Sequence, residues 1–198
     1  KMKIVYITGC LGFMASYFVK ECLDLGWQVI GVDKVTYAAR EDLLFEYARY
    51  PNFRFVKEDI KDLKYLSDCD YVVNYAAESH VGNSIVSNNV FMSSNVLGGN
   101  VSDKPVLIHI STDEVYGDIT SGAHTETDPL KPSNPYAASK ACSDMLITAW
   151  GRTYDVNYRI IRPTNNYGTG QYPEKLIPIT IKNLMRGKKI KLHNRGEP

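Results

Sequence analysis

The sequence is poor in the residues that build disulfide scaffolds and metal sites. It has four cysteines and four histidines among 198 residues, and both types are scattered, with no C-x-x-C pair. Disulfide scaffolds are far richer in cysteine, and zinc sites need clustered ligands. We therefore expect reduced thiols, a cytoplasmic protein and no metal site.

Long apolar runs and a surplus of one charge are missing too. The longest apolar stretches have only the length of a strand, and the N-terminal segment has neither the apolar core nor the cleavage site of a signal peptide. The formal net charge is +1, and there is no run of lysine and arginine. These absences argue against a membrane partner and a nucleic-acid partner.

What the sequence does contain is an alternation of short β-rich apolar segments with helical patterns. Strands are predicted at residues 3–7, 28–33, 53–57, 71–76, 105–111 and 158–163, and helices at residues 12–25, 41–50, 84–97 and 135–154. Such alternation indicates βαβ units and a parallel sheet that is covered on both faces. Right-handed crossovers then give an α/β, Rossmann-like, doubly wound fold.

A glycine turn follows the first predicted strand. Gly9, Gly12 and Ala15 form a G-x-x-G-x-x-A pattern that runs into a helix. Glycine lets the backbone approach a pyrophosphate, and a helix N-terminus offers free N–H groups, although a simple tight turn would look the same. Asp33, which ends the second predicted strand, favours a dinucleotide site because a carboxylate there accepts the ribose hydroxyls. It also favours NAD over NADP, an inference that the adjacent Lys34 weakens.

The segment NPYAASKA, residues 134–141, predicts a catalytic pair. Asn134 can cap a helix, and Tyr136 and Lys140 then lie one turn apart on the same face. A free tyrosine has a pKa of about 10. A lysine cation close by, with an oxidised nicotinamide, would lower that pKa and make Tyr136 a base. A surface tyrosine–lysine pair is the plain alternative, and the glycine turn together with Thr112 argues against it.

A hydroxyl and two carboxylates follow the fifth predicted strand. Thr112, Asp113 and Glu114 stand where an apolar run ends, and the ligands of parallel sheets bind at such ends. Loops often carry acids for solubility alone, so position by itself does not establish chemistry.

These motifs resemble those of the extended short-chain dehydrogenase/reductase family. TGCLGF, AAESHV, STDEVYG, YAASK and RPTNNYGTGQYPEKLIP are most similar to the nucleotide-sugar 4,6-dehydratases of the dTDP-glucose type, over almost the whole chain. The resemblance implies an NAD-binding Rossmann domain at residues 1–163 and the start of a small C-terminal substrate lobe at residues 164–198. It also implies a homodimer that pairs the helices predicted at residues 84–97 and 135–154.

The resemblance further implies separate tasks for the two adjacent acids. Tyr136 would take the proton of the carbon-4 hydroxyl while hydride passes to NAD, with Lys140 tuning Tyr136 and Thr112 hydrogen-bonding the oxygen. Glu114 would remove the carbon-5 proton, and Asp113 would protonate the departing carbon-6 hydroxyl. One carboxyl must then be ionised and its neighbour protonated, which requires pKa values that are separated.

The family positions also assign ligand contacts. The cofactor-binding positions are Gly9, Gly12, Phe13, Met14, Asp33, Lys34, Thr36, Asp59, Ile60, Ala76, Ala77, Ser79, Ser94, Tyr136, Lys140 and Asn166. The positions that would hold the nucleotide sugar are Ser79, His80, Thr112, Asn165, Glu174, Lys175 and Leu176, with Lys191, Leu192 and His193. Ala76 and Ala77 are assigned by their small size, which would let a cofactor lie flat across the strand ends, although close helix–sheet packing would give the same residues. Without the family, Glu174 and Lys175 would be interpreted as the solvated start of a helix.

The sequence departs from the family pattern at three places. Ala15 replaces a glycine, residues 82–83 are Gly-Asn in place of Asp-Arg, and residues 95–108 pass from helix to strand several turns early. We interpret the last departure as residues absent near positions 99–100 rather than as a shortened crossover. We expect the substrate lobe to be incomplete in this chain.

Other functions of the same scaffold stay open. A UDP-sugar 4-epimerase typically carries small residues after the Ser/Thr, and a decarboxylase usually lacks the aspartate, so Asp113 and Glu114 argue against both. A non-catalytic NAD-binding scaffold would not need Thr112, Tyr136 and Lys140. The residues do not distinguish dTDP-glucose from UDP-glucose as the substrate.

Overall fold

The computed structural model describes residues 2–63, 66, 68–76 and 105–190. Several predictions lie outside these residues: the helix at residues 84–97, the Gly-Asn pair at residues 82–83, the junction near residues 99–100, and the ligand contacts of Ala77, Ser79, His80, Ser94, Lys191, Leu192 and His193.

Six parallel strands form a single sheet. They are β1 (Ile4–Thr8), β2 (Gln28–Asp33), β3 (Phe53–Lys57), β4 (Tyr71–Asn74), β5 (Val106–Ile110) and β6 (Tyr158–Ile161). Their order across the sheet is β3-β2-β1-β4-β5-β6, and each neighbouring pair is parallel. This order confirms the predicted doubly wound, Rossmann-like fold, whose ligand crevice lies where the strand order reverses, between β1 and β4.

The described residues contain four α-helices. They are α1 (Phe13–Asp24), α2 (Leu43–Tyr47), α3 (Pro135–Tyr154) and α4 (Leu176–Met185), and a 3₁₀ turn spans Asp113–Tyr116. The predicted helix at residues 41–50 was too long. On both sides of α2 the N–H groups bond to carbonyls three residues back, as Leu43 does to Arg40 and Tyr50 to Tyr47, so tight turns replace the ends of that helix.

Two hydrophobic cores cover the two faces of the sheet. On β1, Val5 and Ile7 belong to one core and Tyr6 to the other, because successive strand side chains point to opposite faces. Helix α1 contributes Val19 to the first core, and α3 contributes Ile147 to the second. Full burial of a valine or isoleucine side chain contributes roughly 1.5–3 kcal/mol to the stability of the fold. These buried side chains therefore hold both layers of helices on the sheet.

The chain groups into two compact units, Lys1–Thr164 and Asn165–Pro198. The sheet, α1 to α3 and the 3₁₀ turn belong to the first unit, and α4 belongs to the second. The division of function between residues 1–163 and 164–198 stays a prediction. In the described part of the chain, no helix combines the length and the apolarity needed to cross a membrane.

Candidate active site

The glycine turn lies between β1 and α1 and touches the segment after β4. Gly9 has a φ of +66°, and its N–H donates to the carbonyl of Val32 on β2 at 2.8 Å. A Cβ at this position would stand 3.0 Å from the nitrogen of Ala76. Glycine is therefore required both by the positive φ and by the close approach of two backbones. The structure brings together Gly9 and Ala76, two predicted cofactor residues that are far apart in the sequence.

Helix α1 presents an uncapped N-terminus next to this turn. Gly12 is its N-cap residue, no side chain caps the first turn, and that turn, which begins with Phe13 and Met14, holds no acidic residue. The first N–H groups of a helix have no partner within the helix and form its positive end. The site thus has the electrostatics that a pyrophosphate needs.

Asp33, at the end of β2, is held by two backbone groups. Its Oδ2 accepts from the N–H of Leu11 at 3.1 Å, and its Oδ1 accepts from the N–H of Val35 at 2.8 Å. Each carboxylate oxygen keeps a second acceptor position for a ribose hydroxyl. Val35 has a φ of 61°, which is strained for a β-branched residue, and the bond to Asp33 helps to hold it there.

Other predicted cofactor residues lie along the same edge of the sheet. Lys34 Nζ stands 3.5 Å from Asp59 Oδ2, so its positive charge is partly balanced by another predicted cofactor residue. Ile60 is buried in the second core, whereas Thr36 is exposed. Because Asp59 partly balances the charge of Lys34, this lysine weakens the preference for NAD less than the sequence alone suggests.

The hydroxyl and the two acids after β5 share one 3₁₀ turn. Thr112 caps the turn: its Oγ1 accepts from the N–H of Glu114 at 3.3 Å and donates to Asp113 Oδ1 at 3.3 Å. Thr112 is buried, and Glu114 is exposed. The side chains of Thr112 and Asp113 and the backbone of Glu114 are therefore linked by hydrogen bonds at the carboxyl end of β5.

Asn134 joins this turn to helix α3. Its Oδ1 accepts from the N–H of Ala137 at 2.8 Å, which is the predicted helix cap. Its Nδ2 donates to Glu114 Oε2 at 2.9 Å, a contact that the sequence analysis missed. The asparagine amide thus fixes the position of Glu114 relative to the first turn of α3, which carries Tyr136.

The pair formed by Tyr136 and Lys140 differs from the expectation in one respect. The pKa of Tyr136 is raised, first by burial and then by the negative charge of Glu114. Burial also lowers the pKa of Lys140 to about 8, against the opposing effect of Asp144. The ammonium of Lys140 donates to the carbonyl of Ile110 at 2.5 Å. The expected lowering of the tyrosine pKa is therefore not a property of the chain by itself.

Buried polar residues beside Lys140 form a cluster that the sequence analysis did not identify. Asp144 Oδ2 accepts from Arg162 Nε at 2.8 Å, and His109 Nε2 lies 3.8 Å from Asp144 Oδ1. Asn74 and His109 are almost completely buried on the neighbouring strands β4 and β5. Polar residues inside otherwise apolar strands were the signal that could have revealed this cluster.

The remaining predicted ligand residues within the described part belong to the second unit. Asn166 offers its carbonyl to Gln171 Nε2 at 3.1 Å. Lys175 is the N-cap residue of α4 with no side-chain cap bond, so Glu174 precedes the helix and Leu176, which is 65 % exposed, begins it. The same unit holds Asn165. The ligand contacts of these residues stay predictions.

Known proteins are similar to this chain in sequence and fold. The chain is 42% identical over 204 residues to the Low-salt glycan biosynthesis protein Agl12 of Haloferax volcanii, covering 97% of this chain and 66% of that protein. It is 40% identical over 209 residues to a dTDP-glucose 4,6-dehydratase of Streptomyces niveus, with coverages of 97% and 62%. The crystal structure of dTDP-glucose 4,6-dehydratase from Bacillus anthracis in complex with NAD matches with a TM-score of 0.82 and 33% identity, over 96% of this chain and 63% of that chain.

The resemblance read from the sequence motifs is thereby confirmed, and the chain spans a little under two thirds of the length of these relatives. The family model of the NAD dependent epimerase/dehydratase family matches residues 5–198. The matched range includes the glycine turn, the acidic end of β2 and the polar turn after β5, all on one Rossmann-like sheet. The chain therefore belongs to the NAD dependent epimerase/dehydratase family.

Proposed function

We propose that this chain is the NAD-binding domain, with the start of the substrate lobe, of a nucleotide-sugar 4,6-dehydratase that converts dTDP-glucose or UDP-glucose to the 4-keto-6-deoxy sugar. The observation that carries the proposal is the 3₁₀ turn in which Thr112, Asp113 and Glu114 form one group, tied through Asn134 to the helix turn of Tyr136. A 4-epimerase has no step that needs two acids here. Relatives named dTDP-glucose 4,6-dehydratase support the same assignment.

The residues present fit NAD as the cofactor. The uncapped N-terminus of α1 would hold the pyrophosphate, and Asp33 would accept the ribose hydroxyls with the acceptor positions that its backbone bonds leave free. A 2′-phosphate would meet the Asp33 charge, which favours NAD over NADP. When bound, NAD supplies a hydride acceptor for carbon 4 of the sugar and a hydride donor for carbon 6.

Tyr136 takes the proton of the carbon-4 hydroxyl in this mechanism. In the chain by itself its raised pKa keeps the phenol protonated, since burial and Glu114 both oppose the phenolate. A positive charge must therefore offset Glu114 when the reaction begins. The charged form of Lys140 is the group of this chain that supplies it from the same helix face.

The hydroxyl of Thr112 has a single proton, which it donates to Asp113 Oδ1 in this structure. If the hydroxyl turns to the carbon-4 oxygen of the substrate, Asp113 loses that donor. Substrate binding would thus free Asp113 Oδ1 from Thr112, and in this mechanism Asp113 delivers a proton to the carbon-6 hydroxyl.

Glu114 removes the carbon-5 proton, which is acidic because carbon 4 has become a ketone. The Asn134 amide is bonded to Oε2 at 2.9 Å, which leaves Oε1 to act as the base. The same group can return a proton to carbon 5 after water has left. The net reaction then loses one water and leaves the cofactor unchanged.

The test is to incubate the full-length protein with dTDP-glucose and, separately, with UDP-glucose and to identify the product. A 4-keto-6-deoxy sugar, formed without net consumption of NAD, is the expected result. Formation of the 4-epimer without loss of water would replace the proposal by an epimerase. Loss of carbon dioxide from a UDP-uronic acid would replace it by a decarboxylase.

We also propose a homodimer in the cytoplasm. Helix α3 leaves Met145 64 % exposed, and an exposed apolar side chain on a helix is suited to pairing across a two-fold axis. The four cysteines are all free thiols, as expected in a reducing compartment. A monomer in sedimentation at micromolar concentration would contradict the dimer.

A further inference from the structure

A row of polar side chains crosses three neighbouring strands. Thr8 on β1 stands opposite Asn74 on β4, and Asn74 stands opposite His109 on β5, all at most 1 % exposed. The Thr8 hydroxyl lies 2.6 Å from Asn74 Oδ1, and Asn74 Nδ2 lies 3.2 Å from His109 Nδ1. The N–H of Ala76 donates to Thr8 Oγ1 at 3.2 Å. The row therefore links the candidate cofactor edge at Ala76 to the middle of the sheet.

The hydrogen bonds of this row have a defined direction. Thr8 Oγ1 accepts from a backbone N–H, and its short contact with Asn74 is typical of an O–H···O bond, so the amide oxygen faces Thr8. The amide nitrogen then donates to Nδ1 of His109, and the imidazole proton must be on Nε2. Burial, followed by the positive charge of Lys140, lowers the pKa of His109 to about 3, which keeps the ring neutral.

The Nε2 side of His109 lies near Asp144. The two atoms His109 Nε2 and Asp144 Oδ1 are 3.8 Å apart, which is longer than a hydrogen bond. Asp144 is 1 % exposed, and its other oxygen is held by Arg162 Nε at 2.8 Å. Arg162 in turn donates to the hydroxyl of Tyr116 at 2.6 Å. Burial raises the pKa of Asp144, and the hydrogen bonds from Arg162 and Ser111 oppose that rise, so the contact with Arg162 favours the ionised carboxylate.

Lys140 lies one helical turn before Asp144 on α3 and is 3 % exposed. The charged and titratable groups around it are the neutral His109 on β5, Arg162 after β6, and Asp144 and Tyr136 on its own helix. Among the described residues, Asp144 is the acid whose charge favours the ammonium of Lys140. A buried ammonium is costly without an opposite charge nearby.

We propose that Asp144 is a positioning residue for Lys140: held by Arg162 and lying near Nε2 of His109, its carboxylate is the buried counter-ion that keeps Lys140 charged beside Tyr136. The inference rests on the proposed function only for the catalytic role of Lys140. The ionisation of Lys140 itself can be measured without any turnover. A failure of the proposed function and a failure of this inference are therefore distinguishable.

The experiment follows the titration of Lys140 in the full-length protein by NMR of ¹³C-labelled lysine side chains, with the resonance assigned by its loss in Lys140→Arg. Asp144→Asn removes the carboxylate charge with little change in shape. We expect the pKa of Lys140 to fall by about one unit, which corresponds to roughly a tenfold fall in the ratio of charged to neutral Lys140 at a given pH. Asp128→Asn, the same substitution at a surface aspartate bonded to His124 and Thr125, should leave the titration unchanged.

A second variant predicts a shift of the opposite sign. Arg162→Gln removes a positive charge and leaves Asp144 to interact with Lys140 alone, so the pKa of Lys140 should rise. This variant also keeps the inference testable where Asp144→Asn does not fold, because Arg162 is more exposed than Asp144. If Asp144→Asn and Asp128→Asn give the same titration, or if Arg162→Gln produces no rise, the inference is overturned and the Asp144–Arg162 pair is only a structural link between α3 and β6.

A third measurement detects the change in the ionisation of Lys140 through the activity of the protein. Lys140 supports Tyr136 only while it is charged, so the high-pH limb of kcat/KM should move to lower pH in Asp144→Asn and to higher pH in Arg162→Gln. A purely structural role would lower the rate at every pH without moving the limb. Asp144→Glu, which keeps the charge, should restore part of the wild-type profile, and an unmoved limb in all three variants would contradict the inference.

Discussion

The two ends of the candidate site are held by different kinds of contact. At the cofactor end, Asp33 is fixed by the backbone N–H groups of Leu11 and Val35. At the catalytic end, Glu114 is held by the side chain of Asn134, and Asp144 by the side chain of Arg162. Backbone contacts survive most substitutions of the donor residue, whereas a contact between side chains is lost when either partner changes. The cofactor end should therefore tolerate change at its donors, and the catalytic end should be sensitive to single substitutions.

The largest effect should come from Asp113→Asn. The substitution removes the proton donor for the carbon-6 hydroxyl and leaves Tyr136, Lys140 and the cofactor site in place. Water loss should slow by a factor on the order of 10²–10⁴, the usual contribution of a general acid, while oxidation at carbon 4 survives. Rapid-mixing absorbance of NADH separates the two steps. Tyr136→Phe is the matched variant that should suppress the first step instead, and water loss at the parental rate in Asp113→Asn would mean that the acid pair is only a solvated strand end.

The buried row at the catalytic end should make the protein sensitive to acid. His109 has a folded-state pKa of about 3, below its ordinary value of 6.5, although Asp144 lies 3.8 Å away. The unfolded chain therefore binds more protons between these values, and the free energy of unfolding falls as the pH drops from about 6.5 towards about 3. The slope from this one group is at most about 1.4 kcal/mol per pH unit.

His109→Gln should flatten that dependence in urea unfolding at a series of pH values. Glutamine can still accept from Asn74 and carries no titrating group in this range. His124→Gln, which removes a histidine from an exposed loop, is the control and should keep the wild-type slope. If both variants show the wild-type slope, His109 is not the group that makes the fold acid-sensitive.

A substitution in the glycine turn tests the cofactor end of the site. Gly9→Ala introduces a Cβ at a φ of +66° and within 3.0 Å of Ala76. We expect a loss of about 1–3 kcal/mol in the free energy of unfolding, with weaker binding of NAD. Gly26→Ala has a similar φ of +74° but no atom within 4 Å of its Cβ, so it measures the backbone strain alone. Equal losses in the two variants would show that the contact with Ala76 contributes nothing.

The smallest effect on stability, and the most selective one, should come from Asn134. Asn134→Ala removes the helix cap and should cost about 1 kcal/mol in denaturant unfolding. Asn134→Ser keeps a capping oxygen but loses the N–H that binds Glu114, so its stability should stay close to wild type. Exchange of the carbon-5 proton with solvent should slow in both variants. A wild-type exchange rate in Asn134→Ser would mean that the Glu114 contact has no part in catalysis.

Much of this site could be predicted from the sequence because several of its features are local. Strand and helix periodicity predicted the sheet, and a glycine turn beside Asp33 predicted where a dinucleotide would bind. Asn134 at the start of α3 was identified as a cap, and the spacing of Tyr136 and Lys140 placed them on one face. The helix cap and the tyrosine–lysine pair depend on residues within one or two turns of each other, where steric and hydrogen-bonding preferences act without the rest of the fold.

The contacts between these residues depend on the assembled fold. The strand order brings Thr8, Asn74 and His109 into one row, although they are far apart in the sequence. Burial then lowers the pKa of His109 and of Lys140, and burial together with Glu114 raises the pKa of Tyr136 in the chain without its cofactor. Sequence patterns were enough to identify which chemical groups stand at the strand ends. Their charge states depend on distance and on exclusion of water, and both arise only when the strands are assembled.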